Sequence, residues 1–89
     1  MKQKIIDIDT HAFFRMLESG TAFGLDYPET KERAFSTVRK GVLAKRKHLS
    51  QDYLTYYQYF RDNLAFYVIC REHDNQALIK TVIIEQGRE

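Results

Sequence analysis

Three runs of nine residues in the second half of the chain are rich in aromatic and β-branched side chains, which favour β-strands. Asp62 and Asn63 separate the first two runs, and residues 73–76 separate the last two, with residue types typical of hairpin turns. The pattern predicts consecutive antiparallel strands at residues 53–61, 64–72 and 77–85. One face of such a sheet must be covered in water, so the preceding residues are expected to form the cover.

The residues before this sheet predict a first short helix. Asp9 or Thr10 can cap its N-terminus, because a side-chain oxygen there accepts a hydrogen bond from a first-turn N–H. Gly20 is a favourable left-handed terminator. The expected inward-facing apolar stripe consists of Phe13, Met16 and Leu17.

A second helix is predicted to begin near Asp26 and to end at Gly41. Pro28 suits the first turn, because the N–H that it lacks would be unpaired there, and Glu29 favours the positive end of the helix dipole. The residues expected to face inward are Ala34, Phe35 and Val38.

A fourth strand is predicted at residues 42–50, although basic residues interrupt its alternation, and residues 3–8 are a candidate fifth strand at an edge. The predicted fold is therefore α+β, with two N-terminal helices packed on an antiparallel sheet of four or five strands. The chain has 89 residues and no linker, repeat or low-complexity segment, which indicates a single domain over residues 1–89.

Cysteine use and hydropathy bear on the compartment. Cys70 is the one cysteine, so no intrachain disulfide can form, and its place in an apolar strand favours a core role over a catalytic thiol. Neither a signal peptide nor a run long enough to span a membrane is visible. We therefore expect a cytoplasmic protein that does not contact a membrane.

Basic residues are concentrated in the middle of the chain. The net charge is only +2, but Arg39, Lys40, Lys45, Arg46, Lys47 and His48 follow one another without an acidic residue between them. In residues 53–61, strand alternation places Tyr53, Tyr57 and Tyr59 with Arg61 on one face, which we expect to stay partly open. Such tyrosines can stack on unpaired bases, or they can form an ordinary amphipathic surface or a dimer contact.

The segment His-Ala-x-x-Arg-Met-x-x-x-Gly, with His11, Arg15 and Gly20, opens the first helix. A second helix ending in glycine, a basic strand and aromatic strands follow it. This order resembles small RelE-like and BrnT-like proteins of the barnase–EndoU–colicin–RelE ribonuclease group, although the connection from Gly20 to Pro28 lacks the usual continuation.

The resemblance implies a RelE-like fold and a metal-independent RNA endonuclease, commonly the toxin of a toxin–antitoxin pair that a partner protein inhibits. It also implies that basic, His and Tyr side chains on the sheet and a nearby helix activate a ribose 2′-hydroxyl and stabilise phosphate charge. His11 and Arg15 occupy the motif positions.

Cleavage of RNA needs a base, an acid and cations, and histidine suits the first two because its pKa lies near neutrality. His11 and Arg15 share a helix face, Arg46 and His48 alternate on one strand, and His73 lies in a predicted turn where a solvated role is expected. The non-functional interpretation of His11 and Arg15 is a charged helix surface. For Arg46 and His48 it is an edge strand whose charges prevent aggregation. The candidate catalytic residues are His11, Arg15, His48 and Arg71, and the candidate RNA contacts are Lys45, Arg46, Lys47, Tyr57, Tyr59 and Arg61, with no metal or cofactor.

Two alternatives remain open. In the first, the protein is a non-enzymatic interaction or inhibitor protein, borne by a phage or plasmid, that docks on another protein through its aromatic sheet face. Pairing of exposed edge strands would instead form a homodimer, which is compatible with either function. The expected partners are thus RNA, an antitoxin protein or a second copy of the chain.

Overall fold

The computed structural model describes residues 4–45 and 52–89 and confirms an α+β architecture with two helices ahead of the main sheet strands. The helices are α1 (Thr10–Ala22) and α2 (Tyr27–Lys40). The strands are β1 (Ile5–Ile8), β2 (Val42–Leu43), β3 (Leu54–Tyr59), β4 (Leu64–His73) and β5 (Gln76–Gln86).

The five strands form one sheet in the order β1-β5-β4-β3-β2. The three meander strands pair antiparallel as predicted, but β1 pairs parallel to β5, so the sheet is mixed rather than antiparallel. Ile6 and Ile8 of β1 pack against the core. Alternation of side chains shows which residues of a strand face the core, but it carries no information about strand direction.

Both helices cover the same face of the sheet. Buried residues of β4 and β5 meet Ala12 and Met16 of α1 and Ala34 and Val38 of α2 in one core. Cys70 lies in this core, which confirms the structural interpretation, and burial raises the pKa of its thiol to about 12. No helix within the described ranges has the length and apolar character needed to cross a bilayer.

The predicted end of α1 at Gly20 is wrong, because the helix continues to Ala22. The left-handed residue is Gly24, with a φ of 77°, and the Leu25 N–H donates to the Gly20 carbonyl at 2.8 Å in a Schellman motif. Gly20 is buried where α1 meets α2, and a Cβ there would overlap the Thr30 hydroxyl. Its role is therefore close helix packing, which depends on a residue ten positions away and is not visible in the local sequence.

The apolar stripe of α1 also differs from the prediction. Met16 is buried as expected, but Ala12 and Gly20 complete the buried row, while Phe13 remains 37% exposed and Leu17 is half-buried. Gly20 lets α1 approach α2 closely, and the centroids of the Phe13 and Tyr27 rings lie 5.0 Å apart.

The predicted limits of α2 are confirmed. Asp26 caps the helix by accepting the Glu29 N–H at 2.9 Å, and Gly41 is the C-cap residue. Ala34 and Val38 are buried as predicted, whereas Phe35 is half-buried.

The hairpin turns are confirmed as well. Asn63 and Asp74 adopt φ values of 68° and 55°, a conformation that Asn and Asp tolerate better than most residues. The predicted extent of the strand at residues 42–50 is wrong, because β2 ends at Leu43 and Ala44 and Lys45 lie outside any strand. Residues 46–51 lie outside the described ranges.

Replacing Gly20 with alanine is expected to destabilise the fold. The Thr30 hydroxyl cannot move aside freely, because it donates to the Asp26 carbonyl at 2.8 Å. We expect overpacking of about 3 kcal/mol to exceed the helix propensity of about 1 kcal/mol that alanine gains. Urea denaturation should therefore show a free energy of unfolding lower by about 2 kcal/mol. Thr21→Ala, at an exposed position of the same helix, is the control and should change it by less than about 0.5 kcal/mol.

Candidate functional site

His11 and Arg15 lie together on the exposed side of α1, beside β5. The Arg15 Nε donates to the His11 Nε2 at 3.5 Å, so the four-residue spacing places the two side chains in contact. Both side chains line a groove of about 430 Å³ that also includes Ser19 and residues 81–84 of β5. This groove, the α1–β5 groove, combines a cation, an imidazole and a hydroxyl at one surface.

The α1–β5 groove exists because β5 extends far beyond β1. β1 pairs only with residues 76–79, whereas β5 continues to Gln86. Within the described residues, the outer edge of β5 from Lys80 onward has no strand partner, so backbone N–H and C=O groups face the groove. These groups add donors and acceptors beside His11 and Arg15.

Asp9 and Lys80 fix the start of α1 against this edge. Asp9 accepts the Ala12 N–H at 2.9 Å as the N-cap of α1, and its second carboxylate oxygen binds the Lys80 Nζ at 2.8 Å. Lys80 is the extra residue of a bulge, because Ile79 pairs with Cys70 whereas Thr81 pairs with Ile69. The ion pair therefore positions the first turn of α1, which carries His11.

Burial alone would raise the pKa of Asp9, but the hydrogen bonds from Lys80 and from the Ala12 N–H outweigh it and lower the pKa. Sequence reasoning missed this pair, although a lysine within the apolar run of residues 77–85 was a signal for a bulge or an ion pair.

Arg71 lies away from the α1–β5 groove. Strand alternation directs it to the sheet face opposite the helices, because its neighbour Cys70 faces the helical core. It borders a separate depression of about 250 Å³ with Asp7, His73 and Leu78. The structure therefore does not join Arg71 to His11 and Arg15.

Tyr57 and Tyr59 lie on that same sheet face and are half-buried, which agrees with a partly open face. Residues 87–89 lie against them: the Arg88 guanidinium is 4.8 Å from the Tyr59 ring centroid, and the Glu89 N–H donates to the Tyr57 hydroxyl at 2.8 Å. The chain itself thus covers part of the surface on which bases were expected to stack.

Arg61 is exposed in the turn between β3 and β4 and borders a groove of about 560 Å³ between α2 and β3. The neighbouring Arg33 is neutralised by Asp62 at 2.8 Å and Glu29 at 2.7 Å, and these hydrogen bonds raise its pKa. Arg61 is therefore remote from the α1–β5 groove, since β4 separates β3 from β5.

The basic segment is only partly described. Arg46, Lys47 and His48 lie outside the described residues, so their relation to the α1–β5 groove is not established. Lys45 is exposed, and its backbone N–H donates to the Glu89 Oε1 at 3.2 Å.

The ion pairs divide the cations into two groups. Lys4, Arg33 and Lys80 each bind a carboxylate, and Lys4 also donates to the hydroxyl of Tyr56. Elsewhere in the described ranges, Lys31, Arg39 and Lys40 on α2 have no carboxylate partner. Sequence reasoning missed Lys31, although its spacing from Phe35 and Arg39 is helical.

Among residues 4–45 and 52–89, no three His, Cys, Asp or Glu side chains are grouped so as to hold a metal ion.

Asp9→Asn tests the ion pair, since asparagine retains the N-cap but loses the charge. The folded-state pKa of Asp9 lies below its ordinary value of 3.8, so its ionisation stabilises the fold above that value and ceases to do so as the pH falls through the folded-state pKa. We expect a lower midpoint of thermal unfolding for Asp9→Asn than for the parent at pH 7, and a smaller difference at an acidic pH below the folded-state pKa of Asp9. Asp7→Asn, at an exposed position of β1, is the matched control. An equal loss at both pH values would show that the charge is unimportant.

Comparison with known proteins found no relative of this chain. The chain matches no protein-family model, and no curated protein or solved structure matches it significantly. The case for a function therefore depends on the arrangement of side chains, above all on the contact between His11 and Arg15 in the α1–β5 groove.

Proposed function

We propose that the protein is an endoribonuclease that uses His11 and Arg15 of the α1–β5 groove. The observation that supports this most directly is the contact of these two exposed side chains over a groove that also presents Ser19 and an open strand edge. An imidazole beside a guanidinium combines a base with a phosphate-binding cation, which are two of the groups that RNA cleavage needs.

In the proposed reaction, His11 removes the proton from a ribose 2′-hydroxyl. The 2′-oxygen then forms a bond to phosphorus, and the bond from phosphorus to the 5′-oxygen breaks. The leaving 5′-oxygen takes a proton from an acid, which leaves a 2′,3′-cyclic phosphate and a 5′-hydroxyl. The acid candidate from the sequence is His48, which lies outside the described residues.

Arg15 has two tasks in this proposal. In the structure its Nε donates to the His11 Nε2, which orients the imidazole, and this contact must be released before that nitrogen can act as the base. When a phosphate enters the groove, the guanidinium can donate to the phosphate oxygens instead and stabilise the charge that develops there. Arginine suits this task because its planar donors match phosphate geometry.

The biological role that we propose is based on the resemblance to RelE-like and BrnT-like proteins. We propose that the chain has a RelE-like fold and acts on cytoplasmic RNA as the toxin of a toxin–antitoxin pair, with an inhibitory protein as its partner. The helix that carries the His-Ala-x-x-Arg-Met motif is also the helix that borders the groove, which supports this assignment.

A non-enzymatic interaction protein is the second candidate function. Phe13 and Phe14 are 37% and 56% exposed, and their rings lie 5.4 Å apart in an apolar surface that includes Tyr27. This surface fits a protein partner better than the tyrosine face does, because residues 87–89 partly cover Tyr57 and Tyr59. It predicts a stable complex without cleavage.

We expect induced expression of the chain in a bacterium to fragment RNA and arrest growth. Purified protein should cleave a single-stranded RNA to products with cyclic phosphate ends, and His11→Ala should slow cleavage by at least about 100-fold. His73→Ala is the matched control, because His73 is an exposed histidine outside the groove. Arg15→Ala should also slow cleavage, and His48→Ala tests the acid.

Cleavage by the folded His11→Ala variant at the rate of the parent would rule out His11 as the base. Intact RNA with the parent chain, together with a stoichiometric complex that Phe14→Ser disrupts, would instead support the interaction protein.

A further inference from the structure

We propose that the flank of α2 formed by Lys31, Phe35, Arg39 and Lys40 is a second RNA-binding surface that holds the phosphate backbone of a single strand. The proposal rests on the proposed function in taking RNA as the partner, but it concerns residues that the cleavage chemistry does not use. It predicts that binding and cleavage are carried by different helices.

Phe35 organises the cations of this surface. The Lys31 Nζ lies 5.5 Å from the centroid of the Phe35 ring, and the Arg39 Cζ lies 5.6 Å from it. The three residues follow one another at four-residue intervals and so form one row along the helix. Contact with the ring limits the freedom of both long side chains, which lowers the entropy lost when they bind a phosphate.

The charges of this row are available to a ligand. In the described part of the chain, no carboxylate pairs with Lys31, Arg39 or Lys40, in contrast to Arg33 on the same helix, which binds both Glu29 and Asp62. Lys31, Arg39 and Lys40 are also exposed, and they border a depression of about 490 Å³ that Glu32 also lines. Within the described residues the cations of this row are unpaired, and such a row is complementary to an anion with several charges.

The spacing favours an extended polyanion over a small phosphate compound. Lys31 and Arg39 are eight positions apart, so they are separated by about 12 Å along the helix axis. Both head groups lie beside the Phe35 ring and the exposed Lys40 follows them, so the cations are distributed along the helix in a way that suits successive phosphates of a strand. Lys40 is followed by Gly41 and β2, after which comes Lys45, so the positive charge extends beyond the helix.

The experiment measures binding of a fluorescein-labelled oligouridylate of about 20 nucleotides by anisotropy at several salt concentrations, in the His11→Ala background to prevent cleavage. Lys31→Gln with Arg39→Gln should weaken binding on the order of tenfold and reduce the slope of log affinity against log salt by roughly 1.4, or about 0.7 for each lost phosphate contact. Phe35→Leu keeps an apolar side chain but removes the ring, and it should weaken binding less than the double variant.

Arg33→Gln is the matched control, because it removes the same charge from the same helix at a position that is already neutralised. Its affinity and salt slope should equal those of the parent, with circular dichroism confirming that each variant is folded. Equal losses in Arg33→Gln and Arg39→Gln would overturn the proposal, since they would show only an effect of net charge. Competition by polyglutamate as effective as competition by RNA of equal charge would also overturn it, in favour of an acidic protein partner.

Failure of this inference is distinguishable from failure of the proposed function. If the α2 variants bind RNA like the parent while His11→Ala still abolishes cleavage, the proposal of RNA binding by α2 is wrong and the proposal of an endoribonuclease is retained. If the α2 variants lose binding but the parent chain does not cut RNA, the surface stands and the protein is a binding protein rather than a nuclease.

Discussion

The junction between β1 and α1 at Asp9 is the constraint on which the candidate site depends. Asp9 donates its N–H to the Ile79 carbonyl, caps α1 and binds Lys80, so the strand ends and the helix begins at one residue. Since β1 stops there, the rest of β5 lacks an outer strand partner in the described structure, and α1 borders its edge instead. The bulge at Lys80 brings the lysine to Asp9. The α1–β5 groove, in which His11 and Arg15 lie beside a strand edge that is open in the described structure, follows from this arrangement.

The centre of the sheet is packed on both faces and has a structural role. Seven consecutive residues of β4, from Leu64 to Cys70, are buried, so both faces of the central strand are covered. Burial raises the pKa of the Cys70 thiol, which keeps it protonated and unreactive at neutral pH. Groups that a ligand can reach therefore lie at the sheet edges, in the turns, on the outer helix surfaces or on the partly open face that carries Tyr57, Tyr59 and Arg71. This limits where any function of the chain can be located.

Local signals predicted most of the fold, whereas contacts between distant residues could not be read from them. The meander, the Asp26 cap and the turns at Asn63 and Asp74 follow from residue types within a few positions of one another. Gly20 appeared to be a terminator because its contact with Thr30 depends on how two helices cross. In the site, the His11–Arg15 contact was predictable from helical spacing, but the Asp9–Lys80 pair depends on a bulge. The separation of Arg71 from His11 likewise requires the sheet order.

Pairing of charges decides which basic residues can serve an anionic ligand. The sequence gives no reason to distinguish Arg33 from Arg39. In the structure, Arg33 binds two carboxylates, whereas among the described residues Arg39 contacts the Phe35 ring and no carboxylate. Arg15 of α1 and the cations of the α2 row both belong to the helical layer, because the two helices cover the same sheet face. The tyrosine face, by contrast, is partly covered by residues 87–89. An anionic ligand therefore meets unpaired cations at the helices of the described structure, whereas contact with Tyr57 or Tyr59 would require displacement of residues 87–89.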